Sequence, residues 1–304
     1  MSSVRLLAIG EVMAEIRTQG VGFAGGFAVG FAGDTYNTAI YAARQLGVPG
    51  QVGYVTRIGM DPLSKGLLDH ATAEGLDVSH VTIDPERNIG IYTVATDARG
   101  ERSFSYWRAD SAARRLFMTP GPPLSLPQAE LVYLSGITLA ILTPAARLAL
   151  FDMLEEARSS LGTKVAFDSN FRPVLWEDHD AARATIERMW QLADIALPSI
   201  DDEMALHGLD SEAAVVARFA TRDWDGIAIK RGVRGPVSPH MAPADTPDFP
   251  PASEVVDTTA AGDSFNGGYL AAFLAGADEA DRLVAGHRLA ARVVAVPGAI
   301  IPRS

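Results

Sequence analysis

Residues 257–268 read DTTAAGDSFNGG. Two aspartates, Asp257 and Asp263, stand among small residues, with no lysine, histidine or cysteine in the segment. The run 254–256 before it reads as a strand. Residues 260–275 carry apolar side chains at 265, 269, 270, 273 and 274, a helical spacing. The segment is therefore expected at a strand-to-helix turn, with Thr258 or Thr259 as N-cap. The first N–H groups of a helix have no partner within it and carry the positive end of its dipole. Small residues at Ala260, Ala261 and Gly262 would let an anion reach those amides. Asp263 falls one turn in, beside the same spot. Amides of this kind stabilise charge on a transferring phosphoryl group, and the carboxylate accepts the proton of an attacking hydroxyl. The plainer alternative is that Asp263 only favours the helix start electrostatically. The smallness of 260–262 argues for the anion site.

Other chemistries find less support. None of the six histidines has metal-ligand spacing. Without cysteine there is no disulfide, thiol nucleophile or cysteine-bound zinc. A net charge of −11 with no lysine/arginine cluster speaks against nucleic acid or a membrane surface as partner. It leaves local anion binding open. About six apolar residues before Glu11 are too few for a signal core. The uncharged run 131–146 is broken by Gly136 and Pro144 and is too short to span a bilayer. A cytoplasmic protein is expected.

The chain has 304 residues, 48% hydrophobic and 21% charged, enough for a sizeable core. The glycine-rich stretch 20–33 lacks both a leading strand and a following Lys-Ser/Thr, so it reads as loop or edge strand rather than a dinucleotide fingerprint. It ends where Asp34 is expected to cap a helix that Gly47 stops. Strands are predicted at 4–9, 51–58, 131–134, 164–167, 194–197 and 226–230, and helices at 62–73, 144–161, 181–192, 201–207 and 211–220. The rest of 131–146 reads as a loop and a helix start. Alternation of this kind predicts an α/β fold, a doubly wound, mostly parallel sheet flanked by helices. Two strand-like runs, 89–96 and 101–108, are joined by DARG, a hairpin signal. The proline-rich stretches 120–127 and 236–251 read as surface loops. The expected organisation is one domain over 1–304, with a small β lid from about 14–32 and 88–108. Ligands of such sheets sit at the carboxyl ends of the strands, where a lid would cover them.

At this point the sequence resembles a known family. DTTAAGDSFNGGYLAAFLAG resembles the signature of the ribokinase-like (PfkB) sugar kinases, usually DTTGAGD. FAGDTYNTAIYAARQLG at 31–47 resembles their sugar-binding segment, and FDSNFRP at 167–173 and KRG at 230–232 follow in the family's order. GDTYNTA (33–39), YWRADSAA (106–113), SGITLAI (135–141), GAIIP (298–302) and the AAGD variant resemble the branch that phosphorylates 2-keto-3-deoxygluconate on its terminal hydroxyl. The resemblance implies ATP and Mg²⁺ as cofactors and a place in sugar-acid breakdown of the Entner–Doudoroff type. It implies Asp263 as base and the amides of Ala260, Ala261 and Gly262 as anion hole. Gly33, Asp34 and Asn37 would hold sugar hydroxyls. Arg108 would hold the acid's carboxylate, because a guanidinium binds a carboxylate through two charge-assisted bonds. Tyr92 and Tyr106 would line the same pocket; cross-strand stacking is the plainer alternative for both, and explains Tyr92 about as well. Arg172 would lie near substrate and phosphates. Ser199, Lys230, Gly232 and Gly235 would form the ATP patch, with His287 beside the adenine unless it is, on the plainer reading, a solvated or core histidine. The family's Asn-x-x-Glu is here Ser199-Ile200-Asp201-Asp202, which leaves Asp202 to act on Mg²⁺ only through water. Lid-to-lid pairing into a homodimer or higher homo-oligomer is the implied assembly.

Two other readings stand beside this one. A related kinase of fructose, ribose or a deoxy-keto sugar would leave Arg108 without a carboxylate to bind. A catalytically silent sugar sensor would have no use for Asp263. The sequence does not fix the configuration tolerated at C4.

Overall fold

The apolar runs of the sequence become neighbours in one parallel sheet. A computed structural model describes residues 4–18, 26–96, 102–118 and 125–303. Strand Leu6–Ile9 lies between Val52–Ile58 on one side and Leu131–Ser135 on the other. Leu76–Asp77 and Val81–Ile83 pair with Val52–Ile58, and Lys164–Asp168, Ile195–Ala196 and Gly226–Ile227 extend the opposite edge in chain order. All these pairings are parallel. The inner strands Leu6–Ile9 and Leu131–Ser135 are almost wholly apolar and buried, as expected where helices cover both faces. Strand order turns back at Leu6–Ile9, so the carboxyl ends part there into a crevice. Glu11, Ser135, Asp168, Ser199 and Lys230 each stand at or just past the carboxyl end of one of these strands.

The helix Ala261–Leu274 packs between Asp34–Leu46 and Glu279–Val293. Its glycine pair makes this possible. A Cβ at Gly267 would lie 2.7 Å from that of Tyr41, and one at Gly268 2.8 Å from the Ala285 carbonyl oxygen. The close approach seats Asp263 against the first turn of Asp34–Leu46. Among the described residues no helix is long and apolar enough to cross a membrane.

A second, four-stranded sheet forms the lid, in the order Phe27–Ala32, Met13–Thr18, Gly90–Thr96, Arg102–Trp107. Its middle pair is parallel and its outer pairs are antiparallel. The DARG turn at 97–100 lies outside the described residues, and its flanking strands pair as a hairpin requires, Ile91 opposite Trp107. Met13, Ala32, Tyr92 and Val94 form the lid's own small core, closed by Ala299 from the end of the chain.

Several local expectations are corrected. Residues 254–256 form no strand; the N–H groups of Val256 and Asp257 instead reach the carbonyl of Val294, just past a helix end (2.8 and 3.0 Å). The loop expected after 131–134 is a helix, Gly136–Ile141, whose N-cap Ser135 accepts from Thr138 N–H. Asp34 does not cap its helix: Gly33 is the N-cap, and Asp34 is the first helical residue with its carboxylate turned elsewhere. Neither Thr258 nor Thr259 caps the last-but-one helix. Ala260 does so in a left-handed conformation, φ 60°, without a side-chain bond. The Thr259 N–H is turned back onto Asp257 (2.9 Å), which forces the sharp turn.

Candidate active site

Beneath the lid, at the carboxyl ends of the strands, lies a cavity of about 440 Å³. Gly33, Asp34, Asn37, Tyr92, Tyr106, Arg108, Arg172, Ser199, Asp202, Lys230 and the run Ala260–Asp263 all line it. Gly232, Gly235 and His287 are not among its lining residues. His287 lies against Phe249, ring centroids 5.2 Å apart, with its Nε2 2.7 Å from the Pro250 carbonyl, and Phe249 is also the neighbour of Gly235.

Asp263 is held rather than merely placed. Asn37 donates its amide to Asp263 Oδ2 (2.8 Å), and Thr38 Oγ1 donates to the Asp263 carbonyl (3.1 Å). Asn37, expected to touch sugar, thus orients the carboxylate. No side chain caps this helix end, so its first-turn amides face the cavity; that of Ala261 leans on the Thr258 carbonyl (3.2 Å). Burial pushes the Asp263 carboxyl up to about 7, with the Asp34 charge adding to the rise, the Asn37 bond opposing it, Asp168 adding further and Lys230 opposing. A carboxylate so poised takes up a proton near neutral pH. A base must be ionised to act, so kcat/KM should fall as pH drops through about 7. Asp34→Asn removes a neighbouring like charge and should move that limb to lower pH. An unmoved limb in a pH–rate profile of the variant would refute the coupling.

The far wall carries the groups suited to a polyhydroxy ligand. The Asp34 carboxylate accepts from Ser135 and from Asn170 Nδ2 (2.8 Å). Gly33 is required here because a methyl would overlap the Glu11 carbonyl. Arg108 comes down from the lid, ion-paired with Glu11, which also accepts from Ser111 Oγ (2.5 Å). Glu11 is only 2% exposed, and the Arg108 Nε is buried without a hydrogen-bond partner. Tyr92 points its hydroxyl away, donating it to buried Glu15, so it presents only its ring edge and face to the cavity. Tyr92 stacks on Tyr106, centroids 5.7 Å apart, and Tyr106 is more than half exposed.

Three residues missed by the sequence reading form or support the floor: Asp168 and Asn170 line it, and Asn266 is buried behind it. Asp168, at the end of its strand, receives the Lys230 ammonium, and Asn266 donates to the same oxygen (2.7 Å). Asn266 also donates to Tyr133 (3.0 Å) and accepts from Lys230 (3.2 Å). Lys230 therefore reaches the helix start, 3.8 Å from where a Cβ of Gly262 would lie. Asn170 holds its position with a positive φ of 30°. Asp168 and Asn170 stood inside the noted FDSNFRP, and the strand-end rule singles out Asp168; nothing in the type or spacing of Asn266 marks it. Arg172 pairs with Asp202 (3.2 Å). Burial pushes the Asp202 carboxyl up to about 6, with Arg172 opposing and Asp168 adding to the rise.

Residues 5–304 match the model of the pfkB family of carbohydrate kinases. The chain is 38% identical to the 2-dehydro-3-deoxygluconokinase of Escherichia coli strain K12, over 99% of this chain and 98% of that one. It is 37% identical to the enzyme of the same name from Dickeya dadantii, with the same coverage. Its fold is similar to that of an E. coli putative ribokinase II solved with ATP and Mg²⁺ (TM-score 0.79, 21% identity, 97% of this chain and 94% of that one). The chain belongs to the pfkB family of carbohydrate kinases, phosphotransferases whose acceptor is an alcohol group.

Proposed function

We propose that the protein transfers the γ-phosphoryl group of ATP to the terminal hydroxyl of 2-keto-3-deoxy-D-gluconate, giving the 6-phosphate. The observation that carries this reading is Arg108, a cation brought by the lid into the same cavity as the base Asp263. The names of the most similar relatives point to the same acceptor.

Asp34 and Asn170 would take sugar hydroxyls, and Arg108 the acid's carboxylate. Asp263, aimed by Asn37, accepts the proton of the terminal hydroxyl as its oxygen attacks the γ-phosphorus. The first-turn amides and the Lys230 ammonium face the charge that develops on the transferring group, where fixed donors are most effective. The Asp168 and Asn266 contacts hold that ammonium in place. Among the described residues no three acidic or imidazole groups gather into a metal cage. The donor set instead suits a hydrated Mg²⁺, which Asp202 would hold through water rather than directly. Bound there, the ion would neutralise charge on the phosphate oxygens.

A coupled assay of ADP release with Mg-ATP tests the reading. It should show strong preference for 2-keto-3-deoxygluconate over fructose and ribose. Preference for a neutral sugar would keep the Asp263 chemistry and overturn the acceptor; no turnover with any of the three would favour the silent sensor.

A further inference from the structure

The closing motif GAIIP takes no part in the chemistry above, yet it joins the lid to the anion hole. Gly298 N–H donates to Asp257 Oδ2 (2.5 Å), and Asp257 Oδ1 accepts from Thr259 N–H (2.9 Å). One buried carboxylate thus ties residue 298 to the turn that runs into Ala260. The other side of Gly298 meets the lid. Its φ of +99° favours glycine, and the Arg17 guanidinium lies against it where a methyl would stand. Arg17 lies on the lid strand Met13–Thr18 and pairs with Glu15 (2.5 Å) two residues before it. Glu15 also receives the hydroxyl of Tyr92, whose ring lines the acceptor cavity. In parallel, Ala299 packs against Tyr92 and Met13 in the lid's core, with Ala260 against the same cluster.

We propose that Arg17 is a positioning residue for phosphoryl transfer: through Gly298 and Asp257 it passes the lid's seating over the acceptor to the anion hole. The phosphate site is then fully formed only when a sugar holds the lid in place. A direct contact between Arg17 and either substrate is not needed, since the chain Tyr92–Glu15–Arg17–Gly298–Asp257–Thr259 is continuous. The proposal rests on the carbohydrate-kinase reading and not on which sugar is the acceptor.

The test compares wild type, Arg17→Met and Arg17→Lys in three measurements: thermal melting, steady-state kinetics, and amide hydrogen exchange of peptides covering 255–260 and 294–299. Exchange is followed with saturating sugar and no nucleotide. In the wild type, sugar should slow exchange in both peptides. In Arg17→Met that protection should vanish and kcat should fall roughly ten-fold, within the usual range for coupled sites, while KM for the sugar changes less than about two-fold. Arg17→Lys keeps the charge beside Glu15 but not the flat guanidinium over Gly298, and should fall between; it also serves if the methionine variant does not fold. Sugar-dependent protection equal to wild type, or an unchanged kcat, would overturn the proposal. A wild type that responds to a neutral sugar but not to the keto acid would strike down the acceptor assignment alone; the same readouts with that sugar then decide the role of Arg17.

Discussion

Asp263→Asn will fold and bind nucleotide, and will turn over about 10²–10⁴-fold more slowly, the scale of a lost general base. The variant is nearly isosteric, and its side-chain oxygen can still accept the Asn37 amide that fixes the carboxylate. What disappears is the capacity to take a proton. The same change should also raise stability in alkaline solution. A carboxyl whose folded-state pKa lies above its unfolded value contributes stability that is fully present below about 4 and lost as pH rises through about 7. Above that point the wild type holds an ionised Asp263 near the charges of Asp34 and Asp168, and the amide does not. Melting curves at pH 8.5 should therefore place Asp263→Asn above the wild type, with the gap shrinking toward pH 4. Near-normal turnover in a stopped-flow or coupled assay would remove Asp263 as the base. A variant that melts lower at every pH would refute the electrostatic part.

Arg108 carries the other large effect, and its measurement needs a partner substitution. Each charge-assisted bond to a substrate carboxylate is worth about 1.5–3 kcal/mol, so its loss should raise KM for the keto acid by about 10- to 150-fold per bond. Arg108→Leu alone would confound this, because it strands Glu11, buried with only the Ser111 hydroxyl for company. Breaking one side of a buried pair costs about 3–5 kcal/mol through the charge left behind. The double change Glu11→Gln with Arg108→Leu removes both charges together. It should keep the melting temperature near wild type while KM for the acid rises and kcat changes little. An unchanged KM would take Arg108 out of the pocket. The pairing also bears on specificity: a site that already holds Glu11 would repel a second carboxylate unless Arg108 shares its donors between the two.

Some of this was legible in the sequence and some was not, for reasons that differ by residue. The helices Pro62–Ala73 and Pro144–Leu161 fall where expected because each begins with proline after a capping Asp61 or Thr143. Their limits are written in local chemistry. Residues 254–256 misled because two valines beside a charged residue look like a strand, yet both are exposed and the Val256 N–H turns to the Val294 carbonyl instead of to a strand. The caps proposed at Asp34 and Thr259 failed for a shared reason. A hydroxyl or carboxylate at a helix start caps only if nothing else claims the backbone or side chain, and here Ser135, Asn170 and Asp257 do. The cavity residues were recognisable by motif. Their partners were not: the Glu11–Arg108 and Asp168–Lys230 pairs join segments 97 and 62 positions apart. No window along the chain contains both ends of either pair. The resemblance placed Lys230 in an ATP patch; that its ammonium meets Asp168 is revealed only by the strand order.

The sequence distances within the site bear on how the enzyme can come into being. Asn37 meets Asp263 across 226 positions, Asp34 meets Asn170 across 136, and Tyr41 donates to the carbonyl of Ala299 across 258. Contacts of such span close large loops, and the entropy of closing a loop grows with its length. The strands can pair stepwise as the chain emerges, but Asp263 and the Asn37 amide that orients it belong to opposite ends of the polypeptide. A fragment ending before residue 298 would hold the cleft and the acceptor wall without Gly298 and Ala299 behind the turn. The geometry of the site is thus completed from both ends of the chain, and a form clipped before residue 298 would lose the Gly298–Asp257 and Tyr41–Ala299 bonds that support it.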